Sequence, residues 1–431
     1  MELIERLSSA PPARCYVVAY SGGLDSTVLL HLARATGLPG LSAVHVHHGL
    51  QAAADGWASH CEAQCRDWYL PIEILRVRVD ARHRQGPEAA ARAARYAALR
   101  GQLPEDAVLM TAHHAGDQAE TVLLRLLRGT GIEGLAAIAP VATLDSARVW
   151  RPLLPVSRKI LLGYARQHDL RWIDDPHNAD PRYARSWLRS RVMPLLHARW
   201  PDADAQLARA ADHAADASIL LEGLAVRLHA AAALQNGGLS VASLLRLTPA
   251  ERRLVLRHWL AAKALPAPFA ATLQQLETDV LNARADATPL LCWPGGEFRR
   301  YRDALYASAP LPALAKDFRV DWDGRQPLRL PEGYGQLQGA QAFAAPVEVC
   351  FARGGERIRP GGQAHSRSLR QLGQQFDIPP WLRPRLPLVF VNGVLVSVAG
   401  HWQSADAPKL QWQAPDLPGL PLSWQTRIPN S

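Results

Sequence analysis

The stretch Ser21-Gly22-Gly23-Leu24-Asp25-Ser26 follows the apolar run Cys15-Tyr16-Val17-Val18-Ala19-Tyr20 and precedes a segment with helical spacing of its apolar residues. A short apolar, partly β-branched run predicts a buried strand. Glycines between a strand and a helix let a phosphate approach the backbone, and the first helical turn adds unpaired N–H groups and partial positive charge. The hydroxyls of Ser21 and Ser26 can add donors. The stretch therefore predicts a phosphate-binding loop, with an ordinary strand-to-helix turn as the alternative.

Asp25 is the charged residue of this loop, which lacks the Gly-Lys-Ser/Thr ending of a Walker A motif. A carboxylate beside phosphates would repel them unless a cation lies between. Mg²⁺ suits this place because it prefers carboxylate and phosphate oxygens. Asp25 is therefore a candidate Mg²⁺ ligand, and a helix-capping role is the alternative.

Strand patterns alternate with helix patterns through the first 150 residues or so, which indicates a doubly wound parallel sheet with helices on both faces. Ligands bind such sheets beyond the carboxyl ends of the strands. Ser21, His47 and His113 each follow a predicted strand and are expected to meet in one crevice. The further strands are predicted at residues 41–46, 72–79 and 107–111, and the helices at 58–69, 88–100 and 119–127.

The remaining sequence changes character twice. Residues 201–309 are rich in Ala and Leu with helical spacing, whereas residues 310–331 contain several prolines and precede a mixed pattern of strands and a short helix. We predict three domains: an α/β domain with the phosphate-binding loop over 1–200, a small helical domain over 201–310, and a mixed α+β C-terminal domain with its connector over 311–431.

Positive charge is concentrated in two segments. The formal net charge is +9, and residues 151–200 hold 10 Lys and Arg against 4 acidic residues, while residues 351–385 hold 7 against 2. This distribution favours a polyanionic partner such as nucleic acid, with a solvated surface as the alternative.

Several function classes are not expected. The five cysteines are scattered, which argues for a reducing cytoplasm and against a disulfide framework. No apolar run is long enough for a membrane span, and the charged N-terminus lacks the layout of a secretory signal. The histidines near positions 45–48 and 113–114 invite a zinc hypothesis, but hydrogen bonds within the crevice or contacts to adenine are the simpler reading.

Further motifs occur in a fixed order, and together they resemble the tRNA(Ile)-lysidine synthase family of the PP-loop ATP pyrophosphatases. The resemblance runs across residues 15–196 and resumes at 354–360 and 378–387. The motifs are His45-Val46-His47-His48-Gly49-Leu50, Gly86-Pro87-Glu88-Ala89-Ala90-Ala91-Arg92, His113-His114-Ala115-Gly116-Asp117-Gln118-Ala119-Glu120-Thr121, Arg151-Pro152-Leu153-Leu154, Trp172-Ile173-Asp174-Asp175-Pro176, Gly354-Gly355-Glu356-Arg357-Ile358-Arg359-Pro360 and Ile378-Pro379-Pro380-Trp381-Leu382-Arg383-Pro384.

The carboxylates Asp117 and Glu120 lie three residues apart at a predicted helix start and so share a face. Such a pair can hold Mg²⁺ or accept a proton from an amine, and a favourable interaction with the helix dipole is the alternative. Arg92 follows Glu88 by four residues, which fits either a surface ion pair or an arginine directed at a phosphate.

The resemblance implies a reaction. ATP would adenylate the carbon-2 oxygen of the wobble cytidine in the CAU anticodon of tRNA-Ile, and the side-chain amine of free L-lysine would displace AMP to form lysidine. ATP and Mg²⁺ are the implied cofactors. The implied domain roles are ATP binding and catalysis over 1–200, substrate binding over 201–310 and tRNA binding over 311–431. We expect a monomer or a homodimer. The implied roles are catalysis by Asp25, Arg92, Asp117 and Glu120; ATP binding by Ser21, Gly22, Gly23, Leu24, Asp25, Ser26, His47 and His113; Mg²⁺ binding by Asp25 and Asp117; and tRNA binding by Arg185, Arg189, Arg357, Arg359 and Arg383.

Two positions depart from the family pattern. Gly116 stands where the family often has Asp, and Ser186 stands where it often has Asn. Two other functions stay open at this point. Another PP-loop enzyme, such as a tRNA thiolase, would need sulfur-handling cysteines, whereas an RNA-binding protein with a relic loop would predict loss of Asp25, Asp117 or Glu120.

Overall fold

A computed structural model describes residues 2–47, 49, 53–77, 87–104, 106–144, 147–174, 182–284, 287–344, 347–405 and 407–419, with the side chains of 2 and 87–92 excepted. The chain divides into two compact units between Leu220 and Leu221. Within the described ranges, no helix combines the length and apolarity needed to cross a bilayer.

The first unit alternates strands with helices. Its elements are, in chain order, α1 (Glu2–Leu7), β1 (Cys15–Ala19), α2 (Leu24–Ala35), β2 (Ser42–His47), α3 (Ala54–Asp67), β3 (Ile72–Arg76), α4 (Pro87–Gln102), β4 (Ala107–Met110), α5 (Ala115–Leu127), α6 (Ile132–Leu135), β5 (Val141–Leu144), β6 (Ala147–Trp150), α7 (Arg158–Gln167), α8 (Ala184–Trp187), a π-helix (Leu188–Val192), α9 (Met193–Arg199) and α10 (Ala203–Ala232), which continues into the second unit.

The sheet of the first unit has the order β3-β2-β1-β4-β6-β5. Neighbouring strands are parallel except for β5, which pairs antiparallel with β6. The order places the carboxyl ends of β2, β1 and β4 side by side, where ligands bind in sheets of this type. The predicted parallel-sheet domain is confirmed, and the β5–β6 hairpin adds an antiparallel edge.

Alternation along β1 explains why both faces of the sheet are covered. Tyr16 and Val18 belong to a core shared with α2, α3 and α7, whereas Val17 belongs to a core that includes Leu99 of α4. Successive side chains of a strand point to opposite faces. A strand that is apolar at every position is therefore expected at the centre of such a sheet.

The second unit contains antiparallel sheets and short helices. Its elements after α10 are β7 (Leu239–Ser240), α11 (Val241–Arg246), α12 (Pro249–Ala262), α13 (Ala270–Gln275), a π-helix (Leu276–Leu281), β8 (Leu290–Trp293), β9 (Gly296–Tyr301), β10 (Ala304–Ser308), β11 (Arg319–Trp322), β12 (Leu328–Arg329), β13 (Gln336–Gly339), β14 (Val347–Phe351), β15 (Arg357–Ile358), β16 (Arg367–Ser368), α14 (Leu369–Gln375), a 3-10 helix (Arg383–Arg385), β17 (Pro387–Val391), β18 (Val394–Val398), β19 (Trp402–Gln403) and β20 (Leu410–Gln413).

Two separate apolar cores organise this unit. One joins α11, α12 and α13 to the sheet β7-β10-β9-β8, and the other joins the sheet β11-β14-β17-β18-β19 to α14. The helical part of the chain thus ends in a small sheet over residues 290–308, in addition to the predicted helices. The division into three domains at 200 and 310 stays a prediction.

Candidate active site

The phosphate-binding loop connects β1 to α2. The Ser21 and Ser26 hydroxyls lie 3.0 Å apart, and Ser26 Oγ donates to the Gly23 carbonyl at 3.0 Å. Gly23 is the N-cap residue of α2, and no side chain within the described residues caps this helix. The amide groups of the first helical turn are therefore free of side-chain acceptors, which suits an anion.

Gly22 is held from two sides. Its φ angle is +81°, and a Cβ atom here would lie 2.9 Å from Cys61 Sγ and 3.1 Å from Ile173 Cδ1. The Ile173 amide donates to the Gly22 carbonyl at 2.9 Å. The loop thus requires glycine for both backbone angle and space, and its shape depends on α3 and on the segment after α7.

Histidines follow the neighbouring strands. His45 is buried and shares a 2.9 Å hydrogen bond between Nδ1 and the Tyr20 carbonyl, and burial lowers the pKa of its imidazole. His47 is also buried, with Nε2 3.2 Å from Asp55 Oδ1. His113 Nδ1 lies 2.9 Å from Thr111 Oγ1. His45 thus helps fix the start of the loop, while His47 and His113 stand at the strand ends. His48 lies outside the described residues.

Asp25 and Asp117 face the same imidazole. His114 Nε2 lies 3.7 Å from Asp25 Oδ2 and 3.7 Å from Asp117 Oδ2. His114 is the N-cap residue of α5: its Nδ1 accepts the Gly116 N–H, and its own N–H donates to Asp117 Oδ2. This reciprocal capping box fixes Asp117 and the imidazole in one arrangement.

The two carboxylates differ electrostatically. Burial raises the pKa of Asp25, although His114 and Arg158 oppose the shift. Burial also acts on Asp117, but His114, His113 and Arg185 outweigh it, so the pKa of Asp117 falls below its usual value. Asp25 Oδ1 is buried and has no hydrogen-bond partner among the described residues. An unsatisfied buried carboxylate oxygen costs free energy unless a ligand satisfies it.

The residues present fit a magnesium ion. Asp25 offers a buried oxygen without a partner, and Asp117 is held ionised beside it. Mg²⁺ is bound in phosphoryl-transfer sites by one or two carboxylates together with phosphate oxygens and water. Within the described ranges, no group of three His, Cys, Asp or Glu side chains is arranged to hold a metal ion.

Glu120 is engaged by two arginines. Arg189 donates to its two oxygens at 2.6 Å from Nε and 2.9 Å from Nη2, and Arg185 Nε donates at 3.0 Å. Arg189 also reaches Asp117 Oδ1 at 3.2 Å, and Arg185 reaches Thr121 Oγ1 at 2.6 Å. Glu120 is only 3% exposed. Helix α8 and the π-helix after it, which carry Arg185 and Arg189, are therefore held to α5 by ion pairs.

The other predicted site residues are distributed between the two units. Arg92 lies in α4, but its side chain is outside the described part of the chain. Arg357 and Arg359 are exposed, at and just after β15. Arg383 donates to the Ile378 carbonyl at 2.8 Å and to Tyr301 Oη at 3.0 Å, which gives it an internal structural contact. Asp175 and Pro176 of the predicted motif lie outside the described residues.

Sequence reasoning counted His114 among the crevice histidines but did not place it between Asp25 and Asp117, and it gave Ile173 no role. His114 precedes Asp117 by three residues at the start of a helix, which is the spacing of a capping box and was a usable signal. Ile173 offers no such signal, because it contacts the loop through its backbone amide.

Three family models match the chain. They are the PP-loop domain over residues 2–196, the TilS substrate binding domain over 239–306, and the TilS substrate C-terminal domain over 347–417. These matches occur in chain order, and the first spans the loop, the acidic residues and the arginine pair described above.

Curated relatives match at nearly full length. A tRNA(Ile)-lysidine synthase from Xanthomonas axonopodis pv. citri is 43% identical over 94% of this chain and 96% of its own length. The chain belongs to the tRNA(Ile)-lysidine synthase family. Relatives with the same name in Methylococcus capsulatus and Serratia proteamaculans are 40% and 42% identical, covering 95% and 93% of this chain and 94% and 96% of their own lengths.

The predicted membership of the PP-loop enzymes, and of this family among them, is therefore confirmed.

Among solved structures, the U34-tRNA thiolase NcsA from Methanococcus maripaludis is similar over 49% of this chain and 78% of its own, with 16% identity and a TM-score of 0.41.

Proposed function

We propose that this protein joins L-lysine to carbon 2 of the wobble cytidine in the CAU anticodon of tRNA-Ile, using ATP and releasing AMP and pyrophosphate. The observation that carries the proposal is that Asp25 and Asp117 lie together beside the N-terminus of α2, which no side chain among the described residues caps. The relatives that match at nearly full length are named tRNA(Ile)-lysidine synthases. The modified tRNA would read AUA instead of AUG.

ATP binding is proposed at the loop between β1 and α2. The amides of the first turn of α2 and the hydroxyls of Ser21 and Ser26 would donate to phosphate oxygens. His47 and His113, at the ends of neighbouring strands, would border the rest of the nucleotide. Asp25 and Asp117 would hold Mg²⁺, which when bound neutralises the charge that develops on the phosphates.

The reaction would proceed in two steps. The carbon-2 oxygen of the cytidine attacks the α-phosphorus of ATP, and pyrophosphate leaves. The lysine side-chain amine then attacks carbon 2 and loses a proton, and AMP departs with the oxygen. We propose that Arg92 stabilises phosphate charge, as an arginine can in a site for phosphoryl transfer.

Glu120 is proposed to act by orientation. Both of its oxygens already accept hydrogen bonds from Arg185 and Arg189. This arrangement supports a role in which Glu120 holds the Arg189 guanidinium beside Asp117. The charges around the incoming amine would then have fixed positions.

Recognition of tRNA is proposed for the two basic segments. Exposed Arg357 and Arg359 can reach phosphates without breaking a buried contact. Three further arginines would contact tRNA only through N–H groups that do not already donate within the protein: Arg185, Arg189 and Arg383. Phosphate contacts of this kind supply affinity and register, and specificity comes from base contacts. The enzyme would work in the cytoplasm as a monomer or homodimer.

Incubation with ATP, Mg²⁺, labelled lysine and unmodified tRNA-Ile tests the function. We expect label in the tRNA and one AMP released for each lysine incorporated. The matched control is methionine tRNA, which carries the same CAU anticodon and should stay unlabelled. Labelling by a thiol donor or another amine, with none by lysine, would show that the assignment is wrong.

A further inference from the structure

His114 occupies a place between two helices that carry the acidic residues. Its ring is 5% exposed, and Nδ1 accepts the Gly116 N–H at 3.0 Å, so the ring proton of the neutral imidazole lies on Nε2. That Nε2–H is 3.7 Å from one oxygen of Asp25 and 3.7 Å from one oxygen of Asp117. We propose that His114 is a positioning residue that sets the spacing of these two carboxylates, and that Gly116 is the residue that admits it.

Glycine at position 116 is required for space alone. Gly116 does not adopt a left-handed φ, unlike Gly22. A Cβ atom at 116 would lie 2.8 Å from His114 Cε1 and 3.1 Å from His114 Nδ1. Any larger residue must therefore push the imidazole away from its present place. An aspartate at 116, which the family often has, would therefore require the imidazole of His114 to shift from this position.

An aspartate in place of Gly116 would also change the charge of the site. A third carboxylate would add repulsion beside Asp25 and Asp117, whereas the Nε2–H group presents a positive dipole to both. At 3.7 Å neither contact is a hydrogen bond. His114 thus holds the carboxylates by electrostatic attraction and leaves their oxygens available to a cation, including the unpartnered Asp25 Oδ1.

Two substitutions test the roles of Nδ1 and Nε2 of His114 separately. His114→Asn places an amide oxygen near the position of Nδ1, so it keeps the helix cap, but it lacks the Nε2–H. His114→Gln places its amide nearer the position of Nε2 and weakens the cap. This inference rests on the proposed function for its activity readout, but binding and unfolding measurements do not depend on it.

We expect His114→Asn to unfold within about 3 °C of the wild type, since Asn is a good N-cap residue. Its kcat for AMP release should fall about tenfold or more, with the KM for tRNA unchanged. Binding of Mn²⁺ with a non-hydrolysable ATP analogue, followed by electron paramagnetic resonance, should weaken about tenfold. His114→Gln should recover part of this binding despite a lower midpoint of unfolding. Wild-type Mn²⁺ binding and kcat in His114→Asn would overturn the proposal and leave His114 as a cap only.

A double-mutant cycle tests the part played by Gly116. Gly116→Ala, whose Cβ alone meets the imidazole, should lower Mn²⁺–nucleotide binding and kcat about tenfold in the wild type, but at most about twofold in the His114→Asn background, because the displaced ring is already gone and no charge is added. Fully additive losses would overturn the proposal. Failure of the wild type to transfer lysine would instead count against the proposed function, and the Mn²⁺ binding cycle would still decide the role of His114.

Discussion

Two aspartates in one site have opposite electrostatic environments. Asp25 has its pKa raised by burial, whereas the pKa of Asp117 is lowered because His114, His113 and Arg185 together outweigh the same effect. Asp117 also accepts a hydrogen bond from the His114 amide, while Asp25 Oδ1 accepts none within the described residues. Asp25 is therefore the carboxylate that gains most from a bound cation.

Asp25→Asn should separate stability from activity. The change removes the charge of a partly exposed carboxylate whose Oδ1 is buried without a partner, at nearly constant volume, so the midpoint of thermal unfolding should rise. AMP release should fall at least about 100-fold, as expected on loss of a metal ligand worth several kcal/mol. tRNA binding, measured by filter retention, should not change. Asp67→Asn, at an exposed position in α3, is the control and should alter neither property. Near-normal AMP release by Asp25→Asn would contradict its assigned role.

The cysteines beside the loop predict an alkaline weakness. Burial raises the pKa of Cys61 to about 12 and that of Cys65 to about 11, from 9.0. Because the folded values are higher, stability is fully present below about pH 9 and falls as the unfolded state releases thiol protons first. The free energy of unfolding in urea should drop by at most about 1.4 kcal/mol per pH unit for each thiol above pH 9.

The double variant Cys61→Ala/Cys65→Ala should show a flatter dependence over the same range. At pH 8, iodoacetamide should modify exposed Cys292 well before either buried thiol. Rapid modification of Cys61 in the folded protein would show that its environment is wrongly described.

At the scale of elements, charge fastens α8 and the π-helix Leu188–Val192 to α5. Arg189 and Arg185 meet at Glu120, which is almost fully buried. A buried carboxylate that loses one of its partners keeps its desolvation cost without the compensating attraction. Loss of either arginine would therefore destabilise the fold, because the buried Glu120 carboxylate would stay without full compensation of its charge.

Arg189→Ala should lower the free energy of unfolding by about 2 kcal/mol, less than a fully buried pair because Arg189 is partly exposed and Arg185 stays in place. Chemical denaturation at pH 7 measures the change. Arg191→Ala, an exposed residue of the same π-helix, should cost less than about 0.5 kcal/mol. Equal effects of the two substitutions would mean that the ion pair with Glu120 contributes nothing.

The parts of the fold that could be predicted are those with a strong local pattern. The continuous apolar runs of β1 and β4 specified central parallel strands, and they are buried as expected. The β5–β6 hairpin and the sheet over 290–308 were missed, because strands of four residues are too short to show a period of two, and exposed positions such as Val141 and Leu290 are apolar. The site followed the same rule. Ser21–Ser26 could be recognised as a string, whereas the place of His114 depends on the absence of a side chain at Gly116.

At the scale of the whole molecule, the two basic segments lie in different units. Segment 151–200 belongs to the first unit and segment 351–385 to the second, with net charges of +6 and +5 from their residues. A polyanion that binds both would gain affinity from each unit separately. Its binding should then weaken steeply with salt, because bound phosphates release counterions.

Arg357→Ala and Arg359→Ala should each reduce the slope of log affinity for tRNA against log salt concentration by about 1. Both side chains are exposed, so the thermal unfolding midpoint should stay constant. Arg253→Ala, exposed on α12, is the control and should leave the slope unchanged. A wild-type affinity independent of salt would contradict a phosphate-binding role for both segments.

Gly22 links the beginning of the chain to a residue made much later. Its carbonyl accepts a hydrogen bond from the Ile173 amide, and the side chains of Ile173 and Cys61 fill the space that a Cβ atom at position 22 would need. During synthesis at about 5–20 residues per second, roughly 8–30 s separate the emergence of the loop from that of Ile173. A nascent chain therefore cannot complete its nucleotide loop until the segment after α7 has left the ribosome, so ATP binding becomes a late event in the maturation of the first unit.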